Sequence, residues 1–411
     1  MRKHRLVGAA LTVSCLFVAL FVAADQGAGA SPSSDLARIP VSRADLTSLA
    51  TYAAENPTRF VGSWQSATGR VLYVAATQFT SGDRRAFAER RSTVARLDWT
   101  VVVRQVHHPL SELKATQRAI TQRFAGAPGV VEWGPDPITD SVLVGLTSLD
   151  VPAHIAIAAA FGDKVAFRQA AVPHVMTGKG TATSGSSRSV DGFPQAGGSF
   201  IHNASGICTA GIPFDTPSSQ RENMLTAGHC FATNAVVFVG ETSSIFFGEV
   251  TVRQWGNNRI DAELLYNTEV GYFSHKIYNG DAAHPTQQAV LSGGVVLTTL
   301  GATVCNDGAV SGATCGLNLQ SLHLCVNEFY APNKSYTVCG LDSASKYGTT
   351  IVRTGDSGGP VIVNTGSAKV GAVGTVSAGA ATHGEGTPVD NLYFADYGDL
   401  EKEFHGSAPV G

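Results

Sequence analysis

At 411 residues the chain is too long for one ordinary hydrophobic core, so its length predicts more than one domain. Its net charge is −3, and the basic excess of the first half is too weak and dispersed to indicate a nucleic acid partner. The half that begins at Asp191 has an acidic excess, and opposite charges favour docking between the two halves.

The first 30 residues have the pattern of a secretory signal. Arg2, Lys3 and Arg5 precede an apolar run at 6–24, and 27–30 is a stretch of small residues suited to cleavage. A membrane anchor is the alternative, because the run is about long enough to cross a bilayer. No later segment of the sequence is comparably long and apolar. We therefore expect a secreted, extracellular protein that leaves the membrane once the signal at 1–30 is cleaved.

Residues 31–175 combine strand and helix patterns, and we interpret them as an α+β domain. The predicted elements are strands at 70–76, 99–104 and 140–146, a helix at 111–124 with Ser111 as its N-cap, and a helix at 151–161. His107 and His108 are adjacent, and adjacent side chains on a strand point to opposite faces, so a loop is favoured over a metal site. The sequence predicts no metal and no cofactor.

The composition changes at residues 176–198, where a glycine- and serine-rich stretch is typical of a linker and processing region. Residues 199–411 show short strands between glycine-rich turns, which predicts an all-β domain built as barrels or as a sandwich. The predicted elements here are strands at 235–239, 288–291, 295–299 and 369–376, and a C-terminal helix at 395–404.

Six of the seven cysteines follow the linker, and the seventh, Cys15, lies in the signal. An even number in a secreted chain predicts three disulfides, and the absence of a Cys-x-x-Cys spacing makes a metal site a poor alternative. Of the 15 possible pairings we favour the sequential one, which closes short loops. It joins Cys208 to Cys230, Cys305 to Cys315, and Cys325 to Cys339.

Two short segments carry a base and a nucleophile. Residues 226–230 are Thr-Ala-Gly-His-Cys, and residues 355–360 are Gly-Asp-Ser-Gly-Gly-Pro. An alcohol is a weak nucleophile at neutral pH and needs a positioned base, so Ser357 is the candidate nucleophile and His229 the candidate general base. The alternatives are a structural histidine beside a disulfide and a glycine–serine turn without function.

The serine segment also offers oxyanion donors. Glycine adopts backbone conformations that other residues resist. With that freedom, the N–H groups of Gly355 and Ser357 can converge on the oxygen of an attacked carbonyl.

The candidate that orients the imidazole is Asp261. It stands among apolar residues, where a buried carboxylate needs a partner such as a histidine N–H. Glu263 is the alternative. Three other aspartates between His229 and the serine segment stand beside glycine or serine and are interpreted as turn residues, namely Asp281, Asp307 and Asp342.

The histidine and serine segments, in this order with an aspartate between them, resemble the chymotrypsin-like serine protease family. The loop at 305–316, closed by two cysteines, and Cys208 before the histidine resemble its bacterial secreted branch, which includes the streptogrisins and α-lytic protease. The resemblance covers about residues 199–404 and implies two packed antiparallel β-barrels with a short C-terminal helix. Residues 59–167 more loosely resemble the pro-domain of the same branch.

The resemblance also implies how a substrate would be bound. The segment 373–379 is similar to the family's substrate-binding strand, which places Ser377, Ala378 and Gly379 along an extended peptide. Ile351 stands six residues before the serine, where trypsin-like members carry an acid, and therefore implies an apolar or small residue before the cut. His383 is an alternative that would recognise an acidic side chain.

Two features depart from the family. No cysteine pair brackets the serine loop, where Arg353 occupies the expected position, and no Ile-Val-Gly-Gly start is present to supply an N-terminal amine for Asp356. We therefore expect Asp356 to pair with another cation, either Arg353 or Arg259.

Together these patterns predict a monomeric serine endopeptidase made as a pre-pro-enzyme. Its segments are a signal at 1–30, a pro-domain at 31–175, a processing region at 176–198 and a protease domain at 199–411. The expected partners are a polypeptide substrate and the chain's own pro-domain, which docks on the protease and blocks its cleft. The alternatives are an inactive binding protein with this fold and an esterase that uses the same residues.

Overall fold

A computed structural model describes residues 35–67, 69–91, 96–176, 186–217, 221–242, 245–331, 334–365, 368–384 and 386–409, which fall in one compact unit. The predicted signal and residues 177–185 of the predicted linker lie outside these residues. The described part is mostly β-structure with five short helices, and none of these helices has the length and apolar character needed to cross a membrane.

The helices of the described part are α1 (Leu46–Ala54), α2 (Ser81–Glu89), α3 (Leu110–Phe124), α4 (Pro152–Phe161) and α5 (Tyr397–Phe404). Eight strands precede the predicted linker: β1 (Asp35–Val41), β2 (Phe60–Gln65), β3 (Val71–Ala76), β4 (Trp99–Gln105), β5 (Val130–Asp136), β6 (Ser141–Leu146), β7 (Val165–Gln169) and β8 (His174–Val175).

The strands that follow belong to two further sheets, apart from a short one at 299–300 that joins the sheet of β1 to β4. They are β9 (Phe200–Asn203), β10 (Gly206–Thr209), β11 (Pro213–Thr216), β12 (Arg221–Thr226), β13 (Val236–Val239), β14 (Phe246–Gln254), β15 (Ala262–Tyr266), β16 (Lys276–Asn279), β17 (Thr286–Val290), β18 (Thr299–Leu300), β19 (Thr303–Gly308), β20 (Gly312–Ala331), β21 (Lys334–Ser345), β22 (Pro360–Asn364), β23 (Lys369–Ala380) and β24 (Asn391–Asp396).

The first sheet has the order β1-β4-β3-β2-β18 and buries an apolar cluster that includes Leu49, Phe60, Phe87 and Val103. Leu49 lies on α1 and Phe87 on α2, so these two helices contribute to the same core. A capping box starts α2, because the Asp83 N–H donates to Thr80 Oγ1 while Asp83 Oδ2 accepts from the Thr80 N–H.

The second sheet is antiparallel, with seven strands in the order β10-β9-β13-β14-β15-β12-β11. The third sheet runs β16-β17-β23-β22-β19-β20-β5-β6-β7, with β21, β24 and β8 paired alongside. In the third sheet β5 pairs antiparallel with β20, and β8 lies between β20 and β23. Segments from before and after the predicted linker therefore share one sheet.

Several element boundaries differ from prediction, among them those of two helices and one strand. α3 begins at Leu110 after Pro109, whose extended backbone takes the N-cap position expected of Ser111. α5 begins at Tyr397, with the Asp396 side chain accepting from the Asp399 N–H. The strand predicted at 295–299 is wrong except at its end, because Val295 makes a single backbone bond to Ala372 and only Thr299 enters a strand.

Two aspartates interpreted as turn residues are buried in strands instead. Asp307 lies on β19 and Asp342 on β21, and both are fully buried. Asp281 does cap a turn, since it accepts from the backbone N–H groups of Ala283 and His284. Burial favours the neutral acid and raises the pKa of Asp342 well above its ordinary value.

Asp307 is matched by a cation from the region interpreted as a linker. Arg188 Nη2 lies 2.6 Å from Asp307 Oδ1, and both side chains are fully buried. Arg188 also donates to the Gly198 carbonyl oxygen and lies over the Tyr278 ring. Burial nevertheless raises the pKa of Asp307 to about 7, against the opposing effect of Arg188. Residues 186–198 thus pack against the domain that follows, and only 177–185 remain outside the described residues.

Candidate active site

Three loops bring the predicted base, acid and nucleophile together. His229 follows β12, Asp261 directly precedes β15, and Ser357 lies in the turn before β22. β12 and β15 are paired in the second sheet, so the loops at their ends are neighbours. The serine turn precedes β22 of the third sheet and meets the second sheet at β10, where the Ser357 carbonyl oxygen accepts from the Thr209 N–H at 2.8 Å.

The three side chains form one hydrogen-bonded row. Ser357 Oγ lies 2.8 Å from His229 Nε2, and His229 Nδ1 lies 2.6 Å from Asp261 Oδ2. The backbone N–H of His229 donates to Asp261 Oδ1 at 2.9 Å. Both carboxylate oxygens of Asp261 are therefore hydrogen-bonded to His229, one to its backbone and one to its ring. This geometry suits proton transfer from the serine hydroxyl to the imidazole while the carboxylate holds the ring.

The serine turn requires glycine at two positions. Gly355 has φ +99° and Gly358 has φ +83°, values that L side chains rarely adopt. A Cβ on Gly358 would also lie 1.9 Å from Thr226 Oγ1, so the turn packs too closely on the histidine segment to accept a side chain there.

The first residue of the predicted linker, Met176, lies against this turn. The Gly355 N–H donates to the carbonyl oxygen of Met176 at 2.5 Å. Met176 itself is buried in an apolar cluster with Ile351, Val352 and Val376. A Cβ on Gly379 would lie at an ordinary contact distance of 3.4 Å from Met176 Cε, but only 2.6 Å from the side chains of Val352 and Val389.

The residues before Met176 continue as the short strand β8. Val175 is the partner of Ala378 and His174 the partner of Gly379 in an antiparallel pairing with β23. On its other side β8 pairs parallel with β20, where the Phe329 N–H donates to the Pro173 carbonyl oxygen at 2.9 Å. The predicted substrate-binding residues Ala378 and Gly379 thus already bind an extended segment of the same chain.

Ser377 behaves differently from its two neighbours on β23. Its hydroxyl lies 2.5 Å from Asp261 Oδ2, so it faces the row of three residues and not the bound segment. On its other side it contacts Glu328 Oε1 of β20. Glu328 was not among the residues predicted from the sequence; the one signal is that it is the single acidic residue of β20, a strand that also carries other polar residues.

The alternative acid, Glu263, does not contact His229. It is fully buried on β15, and its nearest cation is Arg253, whose Nε lies 4.0 Å from Glu263 Oε2. Burial, reinforced by the charge of Asp261, raises the pKa of Glu263 well above its ordinary value. His383, the alternative recognition residue, lies beside Asp390 at 3.4 Å and against the Tyr347 ring.

The expected cation partners of Asp356 are wrong. Asp356 accepts hydrogen bonds from the backbone N–H groups of Val310, Ser311 and Arg353 and from the Ser311 hydroxyl. The Arg353 guanidinium points to Ser311 Oγ, and that of Arg259 binds Gln254. Burial still raises the pKa of Asp356, although all four donors lower it. Neutral donors replace the cation because the loop 308–311 presents its N–H groups to one carboxylate.

Three disulfides join the pairs expected from the sequential pattern: Cys208–Cys230, Cys305–Cys315 and Cys325–Cys339. The first lies beside the site, because Cys230 directly follows His229. Among the described residues, two clusters bring potential metal ligands within 4.8 Å of one another. They are His229 with Asp261 and Glu328, and His323 with Asp396 and Asp399. Hydrogen bonds already engage His229, Asp261 and Glu328 in the first cluster.

Bacterial proteases are among the solved structures to which about half of this chain is similar. Protease A of Thermobifida fusca is 24% identical, and the match covers 53% of this chain and 98% of that protein at a TM-score of 0.41. The Nocardiopsis protease is 20% identical, and the match covers 51% of this chain and 96% of that protein at a TM-score of 0.39. The Cellulomonas bogoriensis chymotrypsin is 19% identical, and the match covers 53% of this chain and 98% of that protein at a TM-score of 0.38. No protein-family model and no curated protein matches the sequence.

Proposed function

We propose that this chain is the precursor of a secreted serine endopeptidase. In this proposal residues 1–30 are the signal, 31–175 an α+β pro-domain, 176–198 the processing region and 199–411 a protease domain of two packed β-barrels. The observation that carries the proposal is the hydrogen-bonded row from Ser357 Oγ through His229 to Asp261.

The row supports acyl transfer in two steps. Ser357 Oγ attacks the peptide carbonyl carbon while His229 Nε2 takes the hydroxyl proton, and His229 then gives that proton to the leaving amine as the C–N bond breaks. Water releases the acyl group by the same route. Asp261 accepts from His229 Nδ1, which keeps Nε2 free to receive the proton.

The hydrogen bond from the Gly355 N–H to a carbonyl oxygen supports the proposed oxyanion site. The Gly355 N–H binds the Met176 oxygen at 2.5 Å, and the Ser357 N–H is the second proposed donor. Because β8 pairs along Ala378 and Gly379, Met176 would be the residue before the cut, with Val175, His174 and Pro173 preceding it. The bond after Met176 is therefore the proposed site of self-cleavage, and an apolar residue before the cut is the proposed preference.

The role of residues 31–175 as an inhibitor in cis rests on two contacts besides β8. β5 extends the third sheet at β20, and the buried Glu132 of β5 accepts from the Tyr393 hydroxyl at 2.6 Å. Arg168 balances the charge of Glu132 at 2.6 Å. A cleft covered in this way stays inactive until the chain is cut and the fragment leaves.

Covalent labelling tests the proposal. We expect a fluorophosphonate to label Ser357 in full-length chain that has been secreted and allowed to cut itself, and mass spectrometry to find the label on that residue alone. Labelling should be much slower before the cut, because Ser357 is fully buried beneath the bound segment. An unfolded protein serves as the substrate in parallel.

The rival functions give different outcomes. An inactive binding protein would take no label even after residues 31–176 are removed. An esterase would take the label and cleave a simple ester but leave the unfolded protein intact. Either result would exclude the endopeptidase.

Replacing Met176 by aspartate should slow the first cut about 100-fold or more, because a charged side chain would enter an apolar, buried pocket. The rate is measured from the loss of full-length chain on a gel. Met176→Leu is the matched control, since it keeps an apolar side chain of similar volume and should cut within a few-fold of the parent. Equal rates for both variants would show that Met176 does not precede the cut.

A further inference from the structure

Ser377 Oγ stands between two buried carboxyl groups. It lies 2.5 Å from Asp261 Oδ2 and contacts Glu328 Oε1 on the other side. All three side chains are fully buried. A hydroxyl has one proton and can donate to only one of the two oxygens, so the second contact needs a proton from elsewhere.

The donor count shows where that proton resides. Asp261 accepts from the backbone N–H of His229, from His229 Nδ1 and from Ser377, which is the pattern of an ionised carboxylate. The Ser377 proton therefore points to Asp261, and the close contact with Glu328 requires a carboxylic acid that donates to Ser377 Oγ. Burial, followed by the negative charge of Asp261, raises the pKa of Glu328 well above its ordinary value, against a smaller opposing effect from Ser377 and Trp255.

We propose that Glu328 is a neutral carboxylic acid that acts as a positioning residue for Asp261 through Ser377. This inference rests on the proposed function of Ser357, His229 and Asp261. The proton of Glu328 fixes Ser377 as a donor, and Ser377 in turn holds the Asp261 oxygen that binds His229 Nδ1. The carboxyl group touches neither the substrate nor the reacting atoms.

The titration of Glu328 makes the proposal testable. Asp261 and His229 lie on one side of Glu328. On the neighbouring strands, Tyr336 of β21 is paired with Glu328, and His174 of β8 is paired with Phe329, the residue after it. When Glu328 ionises, a second negative charge arises beside Asp261 and competes for the Ser377 proton. Since burial raises its pKa on folding, this carboxyl costs stability as pH rises from the ordinary value of a glutamate towards the folded pKa, and the row should lose its geometry once the pH passes that folded pKa.

Activity against pH gives the first readout, on the full-length chain after self-cleavage. Glu328→Gln can still donate from its amide but cannot ionise, so we expect a loss of no more than about 3-fold in kcat/KM at neutral pH and no decline of activity from ionisation at this position as pH rises. Glu328→Leu keeps the volume but not the donor, and should lower kcat by about 10-fold with little change in KM, the size of one net hydrogen bond. Glu263→Gln is the matched control, being equally buried but out of contact with Ser377, and should keep the parent's decline with rising pH.

A second readout needs no catalysis and so separates failure of this inference from failure of the proposed function. In a Ser357→Ala chain, the NMR resonance of the proton between His229 Nδ1 and Asp261 should show a transition with rising pH that Glu328→Gln removes and Glu263→Gln retains. A transition that persists in Glu328→Gln would overturn the inference. So would a Glu328→Gln enzyme that is folded but as impaired at neutral pH as Glu328→Leu.

Discussion

Replacing Ser357 by alanine is expected to leave the secreted chain uncut and to remove hydrolysis of an unfolded protein. The attacking oxygen is lost, while the His229–Asp261 contact and the Gly355 N–H remain. Loss of the nucleophile from a triad of this kind lowers kcat on the order of 10⁶-fold, and residual turnover comes from binding and the oxyanion donors alone. The measurement is the mass of the secreted chain over several days, beside the rate of substrate cleavage.

Two controls keep this result interpretable. Ser205→Ala removes an exposed serine hydroxyl that bonds only locally, to Asn203, and should be processed like the parent. Parent enzyme added to the Ser357→Ala chain tests whether a cut after Met176 can be made in trans, which separates an inert serine from a misfolded chain. If Ser357→Ala still cuts itself at the parent's position, another group is the nucleophile and the proposed function fails.

The features that the sequence alone could indicate are those that depend on residues close together in the chain. The segments around His229 and Ser357 carry their own turn chemistry, so their neighbours in the chain were enough to single them out. Asp261 could be selected because its flanking residues are apolar, and a carboxylate there must find a partner on folding. Runs of β-branched residues likewise predicted the strands at 70–76 and 99–104, and the structure has β3 and β4 there.

What the sequence did not predict depends on contacts between distant segments. Glu328 is 49 residues from Ser377, and only the packing of β20 beside β8 and β23 brings it near Asp261. Arg188 stands in a polar, serine-rich stretch, and its partner Asp307 is 119 residues away, so composition alone indicated a linker. The predicted partner of Asp356 was wrong for a related reason. Backbone N–H groups can satisfy a carboxylate, and because nearly every residue has one, the sequence does not show which of them will do so.

The orienting acid is the residue whose loss should matter most after the serine. Asp261→Asn is expected to lower kcat by about 10⁴-fold with little change in KM, the effect of the same substitution in a well-studied triad. The geometry explains why the amide cannot substitute. Asp261 Oδ1 accepts from the His229 backbone N–H, so the asparagine oxygen must stay there and its NH₂ must take the place of Oδ2.

In that orientation the amide would donate to His229 Nδ1 and face Ser377 Oγ. The imidazole would then carry its proton on Nε2, where it cannot accept one from Ser357, so the base is held in the wrong tautomer. Glu263→Gln is the decisive companion, since Glu263 was the other candidate acid and is buried two residues away. A kcat close to the parent's for Glu263→Gln, together with a kcat about 10⁴-fold lower for Asp261→Asn, would support Asp261 as the acid that orients His229. The opposite pattern would assign that role to Glu263 and would contradict the proposed function.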